Sequence, residues 1–238
     1  MRTFGLIGKS LEHSFSSKYF KEKFLKEKIT DAQYLNFELK DISEFKLLIE
    51  ENKLSGLNVT IPYKKKIIPF LDELSNESKE IGAVNSIRFI NGKLIGYNTD
   101  YLGFKKSIEP ILKGRKKAIV LGDGGAAKAV KYALDKLGVE HKTANRNTLF
   151  DYIDITEEIT AYYNVIINTT PEGSYPNPSG FPKIPYEYLN ENYLLFDLIY
   201  NPIETKFLAY GKARNTQTKS GLEMLQIQAE ESWKIWNL

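Results

Sequence analysis

The stretch KAIVLGDGGAAKAVKYALDKLG, residues 117–138, joins an apolar run to an amphipathic pattern through the turn Gly122-Asp123-Gly124-Gly125-Ala126-Ala127. Ala118 to Leu121 are apolar without interruption, which fits a parallel strand covered on both faces. The turn fits GxGxxA, in which the first glycine permits a tight bend, the second lets backbone approach a pyrophosphate, and the third small residue lets helix pack on strand. The N-terminus of the following helix presents N–H groups and a positive dipole end to the phosphates. A second strand, VEHKTANR (139–146), follows in order. Strand, turn, helix and strand in sequence favour dinucleotide binding over a plain tight turn.

The end of that second strand selects the dinucleotide. An NAD site places an acid there to accept from the ribose 2′-OH. Here the position reads Ala144-Asn145-Arg146. A guanidinium suits a 2′-phosphate and no carboxylate repels it, so the cofactor expected is NADP. The alternative for Arg146 is a solvated loop cation.

Outward from this unit, apolar or β-branched runs alternate with helical patterns. TFGLIG, AQYLNFEL, GLNVTI, AVNSIRFI, NVIIN and YLLFDLIY read as strands, and the pattern means an α/β protein. Near the N-terminus Tyr19, Phe20 and Phe24 share a helical face, with Ser16 or Ser17 available as N-cap. Phe45, Leu48 and Ile49 mark a second helix after Asp41 and Ser43. Asn91-Gly92 signals a two-residue hairpin, so the N-terminal sheet is expected to be mixed with an antiparallel edge. The expected division is 1–100, 101–220 and a C-terminal helix over 221–238, with Gly103 and Gly211 as hinge positions. The loop TTPEGSYPNPSGFP, 169–182, is too rich in Pro, Gly, Ser and Asn for regular structure.

Composition excludes several classes. In 238 residues, 42% are apolar and 13% aromatic, enough to fill a core. Lys and Arg total 33 against 30 for Asp and Glu, a spread charge of +3 that argues against a nucleic-acid partner; KGRKK at 113–117 reads as a solvated link. The absence of cysteine removes disulfides and thiolates, and two histidines make a metal site improbable. No apolar stretch is long enough to cross a bilayer and no secretion signal is visible, so a cytoplasmic protein without membrane contact is expected.

Three consecutive lysines in NVTIPYKKK (58–66) follow a strand-like run. Pro62 stops the strand and suits a first helical turn, which spaces the three side chains about 100° apart, so only one can face a site. The residues alone leave open which one, or whether all are surface charge. Asp100, before a helical pattern, reads as an N-cap. Ser14 and Ser16 stand two apart, which in extended backbone puts both hydroxyls on one face; the alternative is N-capping. Asn85 is a candidate turn residue, Tyr200 ends a buried strand, and Gln228 falls on or beside the apolar stripe of LEMLQIQAEESWKIWNL (222–238).

The motifs together resemble shikimate dehydrogenase over nearly the whole chain: HSFS (13–16), NVTIPYK (58–64), GAVNS (82–86), GYNTDYLGF (96–104), GDGGAAKA (122–129), Asn145-Arg146, INTTPEGS (167–174), DLIYNPIET (197–205) and GLEMLQIQ (221–228). The resemblance implies an N-terminal mixed-sheet α/β substrate domain, a C-terminal Rossmann-type NADP-binding domain, and a last helix returning to the substrate domain. It implies NADPH-dependent reduction of 3-dehydroshikimate to shikimate, by a monomer or homodimer. By matching positions it makes Lys64 and Asp100 the catalytic pair and Ser14 and Ser16 the holders of the substrate carboxylate. Thr60, Asn85, Gln228 and Tyr200 become further substrate contacts. Gly122, Gly124, Gly125, Ala126, Asn145, Arg146, Thr169, Leu198 and Gly221 become cofactor contacts. The sequence departs from the family pattern at Ser17, Asn147, Ser174 and Leu198, and 147–164 is short for a helix, strand and connections, which implies a trimmed cofactor domain. The competing readings are a broader quinate/shikimate dehydrogenase using NAD or NADP, and a silent NADP-binding regulator.

Overall fold

The computed structural model describes residues 1–12, 14–145 and 150–238. Contacts divide the chain into two units, Met1–Thr99 with Ala229–Leu238, and Asp100–Gln228.

In the first unit, β1 (Arg2–Gly8), β2 (Ala32–Glu38) and β3 (Leu54–Val59) run parallel, with β1 between the other two. β5 (Ser86–Ile90) and β6 (Lys93–Tyr97) form an antiparallel hairpin beside β3. Asn91 at φ 50° and Gly92 at φ 76° give this turn the two left-handed residues that a primed hairpin turn requires. The sheet is mixed, as expected, but the hairpin is not its edge. β4 (Glu73–Leu74) pairs parallel with β6 on the outside. The Asp72 carboxylate accepts from Leu94 N–H at 2.7 Å and fixes that short strand, and two residues are too few to show a period.

Side-chain alternation along β1 builds two cores. Phe4 and Leu6 face Phe20 and Phe24 of α1 (Phe15–Lys26), together with Tyr34 and Trp236. Ile7 faces the other way, toward Phe45 and Leu48 of α2 (Phe45–Glu51), Tyr63 of α3 (Tyr63–Lys66), and Ile67. α4 (Asn76–Ile81) is capped by Ser75 and closed by Gly82 in the left-handed region. α1 does not start from Ser16 or Ser17. Its N-cap position is Ser14, without a side-chain capping bond, and Phe15 joins the first turn because its ring stacks on Tyr19 one turn on, with centroids 5.5 Å apart.

The second unit is built on five parallel strands: β7 (Lys117–Leu121), β8 (Glu140–Ala144), β9 (Val165–Asn168), β10 (Leu194–Asp197) and β11 (Gln217–Lys219). Their order is β11-β10-β9-β7-β8. Set against the six-stranded dinucleotide order 3-2-1-4-5-6, the third strand is missing among the described residues. Its stretch of chain holds a turn at Tyr152–Asp154 and the short α7 (Glu157–Tyr162). α5 (Asp100–Leu112) and α6 (Gly125–Lys136) cover one face, where Phe104, Val130 and Phe196 are fully buried. α8 (Lys206–Lys212) packs on the other face with Phe207 and Leu195.

Gly103 and Gly211 are not hinges. Both lie inside helices, where an added Cβ would stand 2.5 Å from the Met224 carbonyl and 2.3 Å from Leu195, so they are glycines for close packing. α9 (Leu222–Trp236) is continuous; its residues through Gln228 group with the second unit and those from Ala229 with the first. In the first unit Trp236 stacks on Phe4 at 5.0 Å and fills the space a side chain at Gly56 would need.

Candidate active site

In the second unit, register puts the last residues of four strands side by side, pairing Leu121 with Ala144 and with Asn168, and Asn168 with Asp197. Gly122, Asn145, Thr169 and Leu198 each follow directly, so four expected cofactor residues line one sheet edge. The strand order reverses between β7 and β9, and ligands of open α/β sheets bind at such a point, outside the carboxyl ends. The two sides of the reversal touch: Thr169 donates its N–H (3.0 Å) and its hydroxyl (2.6 Å) to the Leu121 carbonyl. Gly122 is held at φ 101°, and a Cβ there would stand 2.9 Å from the Thr169 hydroxyl.

The turn fits a pyrophosphate. Gly124 is the N-cap of α6, and Gly125 and Ala126 are its first helical residues, whose N–H groups have no intrahelical acceptor. A Cβ at Gly124 or Gly125 would meet nothing within 4 Å, so the approach to these donors is open. The small residue that lets helix lie on strand is Ala127, fully buried in the core. Asp123, the one anionic residue of the turn, is paired with Lys131 at 2.7 Å. Asn145 donates to the Phe150 carbonyl at 3.0 Å. Arg146 lies outside the described residues.

At β10 the chain turns through Leu198-Ile199-Tyr200. Gly221 must be glycine, because its N–H donates to the Ile199 carbonyl at 3.0 Å and a Cβ would lie 2.1 Å from the Leu198 oxygen. Tyr200 is half-buried, and burial raises its phenol above the ordinary tyrosine value. Gln228, 7% exposed, donates to the Leu225 carbonyl at 3.0 Å.

In the first unit, α3 begins after Pro62 and carries all three lysines. Lys64 is half-buried while Lys65 and Lys66 are exposed. Its backbone is anchored, since the Lys64 carbonyl accepts from Val84 N–H at 2.8 Å and Tyr63 is buried with its hydroxyl on the Leu39 carbonyl at 2.6 Å. Thr60 follows β3, donating its N–H to Ile7 and accepting from Tyr63 N–H, both at 2.9 Å.

Ser14 and Ser16 do not share one face of extended chain. Ser14 is extended at ψ 117° and Ser16 is already helical, because α1 starts one residue after Ser14. Among the described residues the Ser14 hydroxyl is buried without a hydrogen-bond partner. Ser16 is half-buried near the Tyr34 phenol, which burial pushes well up and keeps neutral.

From Tyr34 a buried polar chain continues. Tyr34 donates to Asn58 Oδ1 (2.9 Å), and Asn58 Nδ2 donates to Ser232 Oγ (2.9 Å) and to the Asn85 carbonyl (3.2 Å). Ser232 Oγ meets Thr99 Oγ1 at 3.2 Å, and Asn85 Nδ2 donates to Thr99 Oγ1 at 3.0 Å while its Oδ1 accepts from Thr99 N–H. Asn85 is therefore no free turn residue; it grips the residue before Asp100. Asp100, 6% exposed, is the first residue of α5 rather than its N-cap, and a carboxylate in a first turn is favoured by the dipole. Tyr34, Asn58, Thr99 and Ser232 were not among the expected site residues, although Asn58 and Thr99 stand inside the motifs NVTIPYK and GYNTDYLGF.

Among the described residues no group of three His, Cys, Asp or Glu is placed to hold a metal, and no helix is long and apolar enough to cross a membrane.

Comparison with known proteins bears on both units. Residues 6–87 match the family model described as the shikimate dehydrogenase substrate binding domain. The chain is 38% identical over 263 residues to "Shikimate dehydrogenase (NADP(+))" of Caldicellulosiruptor saccharolyticus, covering 99% of this chain and 92% of that one. The chain belongs to the shikimate dehydrogenase family. A solved shikimate dehydrogenase in complex with NADP+ superposes with TM-score 0.88 at 35% identity, over 99% of this chain and 90% of its own. The shikimate dehydrogenase of Aquifex aeolicus gives TM-score 0.87 at 36% identity, over 100% of this chain and 92% of that one. The family's fold, an N-terminal substrate domain and a Rossmann-type nucleotide-binding domain, is the fold described above.

Proposed function

We propose that this protein reduces 3-dehydroshikimate to shikimate with NADPH, reversibly, as an oxidoreductase of aromatic amino acid biosynthesis working in the cytoplasm as a monomer or homodimer. The observation that carries the reading is in the first unit: of three adjacent lysines only Lys64 is drawn in from solvent, in the same unit as a buried Ser14 hydroxyl with no hydrogen-bond partner among the described residues.

Reduction of a ring ketone needs a hydride on carbon and a proton on oxygen. NADPH, when bound, supplies the hydride. The protein must supply the proton from a group within hydrogen-bond reach of the carbonyl oxygen. An ammonium does this, and we assign that role to Lys64, which donates to the alkoxide as charge develops there. Asp100 is assigned as the carboxylate that orients the ammonium. In the reverse direction the pair takes the alcohol proton. Ser14 and Ser16 hold the substrate carboxylate, and Thr60, Asn85, Tyr200 and Gln228 the ring hydroxyls or carboxylate.

For the cofactor we assign the pyrophosphate to Gly122, Gly124, Gly125 and Ala126, of which Gly125 and Ala126 present N–H groups without an intrahelical acceptor. Asn145 and Arg146 take the 2′-phosphate end, and Thr169, Leu198 and Gly221 the nicotinamide end.

The test is loss of NADPH absorbance with 3-dehydroshikimate, followed by the reverse reaction with shikimate and quinate against NADP and NAD. Turnover with the first pair and a preference for shikimate and NADP is expected. No turnover with any pair overturns the reading, and equal use of quinate and NAD replaces it with the broader dehydrogenase.

A further inference from the structure

Asp197 is fully buried at the end of β10 and has no part in the chemistry above. Its Oδ1 accepts from Asn168 Nδ2 (3.0 Å) and from Ile199 N–H (3.1 Å), and its Oδ2 from the Thr205 hydroxyl (2.6 Å). Each donor belongs to a different stretch. Asn168 ends β9, and its own Oδ1 accepts from the N–H (3.0 Å) and hydroxyl (2.7 Å) of Thr170, which fixes the loop carrying Thr169. Ile199 stands between Leu198 and Tyr200, and its carbonyl accepts from Gly221. Thr205 is the N-cap of α8.

We infer that Asp197 is a positioning residue whose ionised carboxylate holds Thr169, Leu198 and Gly221 in the arrangement that binds the nicotinamide end of the cofactor, and Tyr200 beside them in the arrangement that meets the substrate. The inference rests on the assignment of those four residues to ligands made above. A neutral isostere cannot reproduce the arrangement. A carboxylate presents two acceptor atoms to three donors, whereas an amide has one acceptor and must turn its NH₂ toward one of them. Facing Thr205 the amide reverses that bond, and facing Asn168 and Ile199 it opposes two donors.

The carboxylate is also a cost to the fold. Burial raises Asp197 from the ordinary aspartate value to about 6, against the opposing pull of its three hydrogen bonds. Above that pH the native state carries a buried charge that the unfolded chain carries in water. The fold therefore disfavours the charged form relative to the protonated one, and a role in stability alone would not need the charge.

The experiment compares Asp197→Asn with wild type by fluorescence titration of NADPH and by thermal melting at pH 7.5. Asn is expected to leave the melting temperature unchanged or higher while the NADPH Kd rises about tenfold, the scale of losing charge assistance in one or two hydrogen bonds. Thr205→Val should give part of the loss and Thr205→Ser should restore it. An unchanged Kd in Asp197→Asn overturns the inference. A Kd loss accompanied by a lower melting temperature also overturns it, in favour of a purely structural role. A wild-type chain that does not bind NADPH overturns the functional reading itself, and this inference with it.

Discussion

In the second unit the candidate residues Gly122, Asn145, Thr169 and Leu198 each follow a strand end and are placed by the sheet's own ladder, whereas in the first unit Asn58, Asn85 and Thr99 are placed by hydrogen bonds between buried side chains. A site placed by backbone depends on there being room, so its weak points are glycines. A site placed by side chains depends on each polar atom having its partner, so its weak points are asparagines, serines and threonines.

The largest way to sharpen this contrast is to delete one functional side chain from the first unit. Lys64→Met should lower kcat by roughly 10²–10⁴-fold with KM nearly unchanged, because its bond strengthens mainly in the transition state. Lys65→Met, solvent-facing one position on, should be close to wild type in the same steady-state assay. Next, adding a single carbon to the second unit should remove binding rather than chemistry. Gly221→Ala puts a Cβ against the Leu198 carbonyl, and overpacking on the order of 3 kcal/mol should appear in a urea unfolding curve, with weaker NADPH binding.

A third test uses pH. With its native value raised to about 6, Asp197 binds a proton more tightly folded than unfolded. Its contribution therefore favours the fold below about pH 4, is lost as pH rises through 6, and stays lost above. Asp197→Asn should remove that part of the pH dependence, a difference of roughly 2–3 kcal/mol between pH 4 and 7 in chemical denaturation. The smallest effect belongs to the side-chain network. Ser232→Ala leaves Asn58 Nδ2 one acceptor short and should cost about 1 kcal/mol of stability, with substrate KM rising more than cofactor KM. If Ser232→Ala instead weakens NADPH and spares the substrate, the contrast between the units is wrong.

The same contrast governs what was legible in the sequence. The Gly-rich turn could be read because the demand for φ 101° at Gly122 and for open space at Gly124 leaves few residue choices. Asn91-Gly92 was legible for the same reason. The network of Tyr34, Asn58, Thr99 and Ser232 was not, because periodicity reads a polar residue as solvent-facing and carries no sign that it will meet another polar atom in the core. Gly103 and Gly211 misled because glycine marks both freedom and crowding, and only coordinates tell which. The short β4 and the start of α1 at Phe15 are set by tertiary contacts, Asp72 on Leu94 and Phe15 on Tyr19, that no local pattern encodes.

The missing third strand leaves β8 as the outermost strand of its sheet among the described residues. A bare rim of this kind invites a stranger's backbone to add itself. Glu140, His141 and Lys142 occupy that rim consecutively, tied back to Lys117, Asp135 and the Phe150 ring. Charged side chains on that rim make lateral growth into stacked aggregates unfavourable.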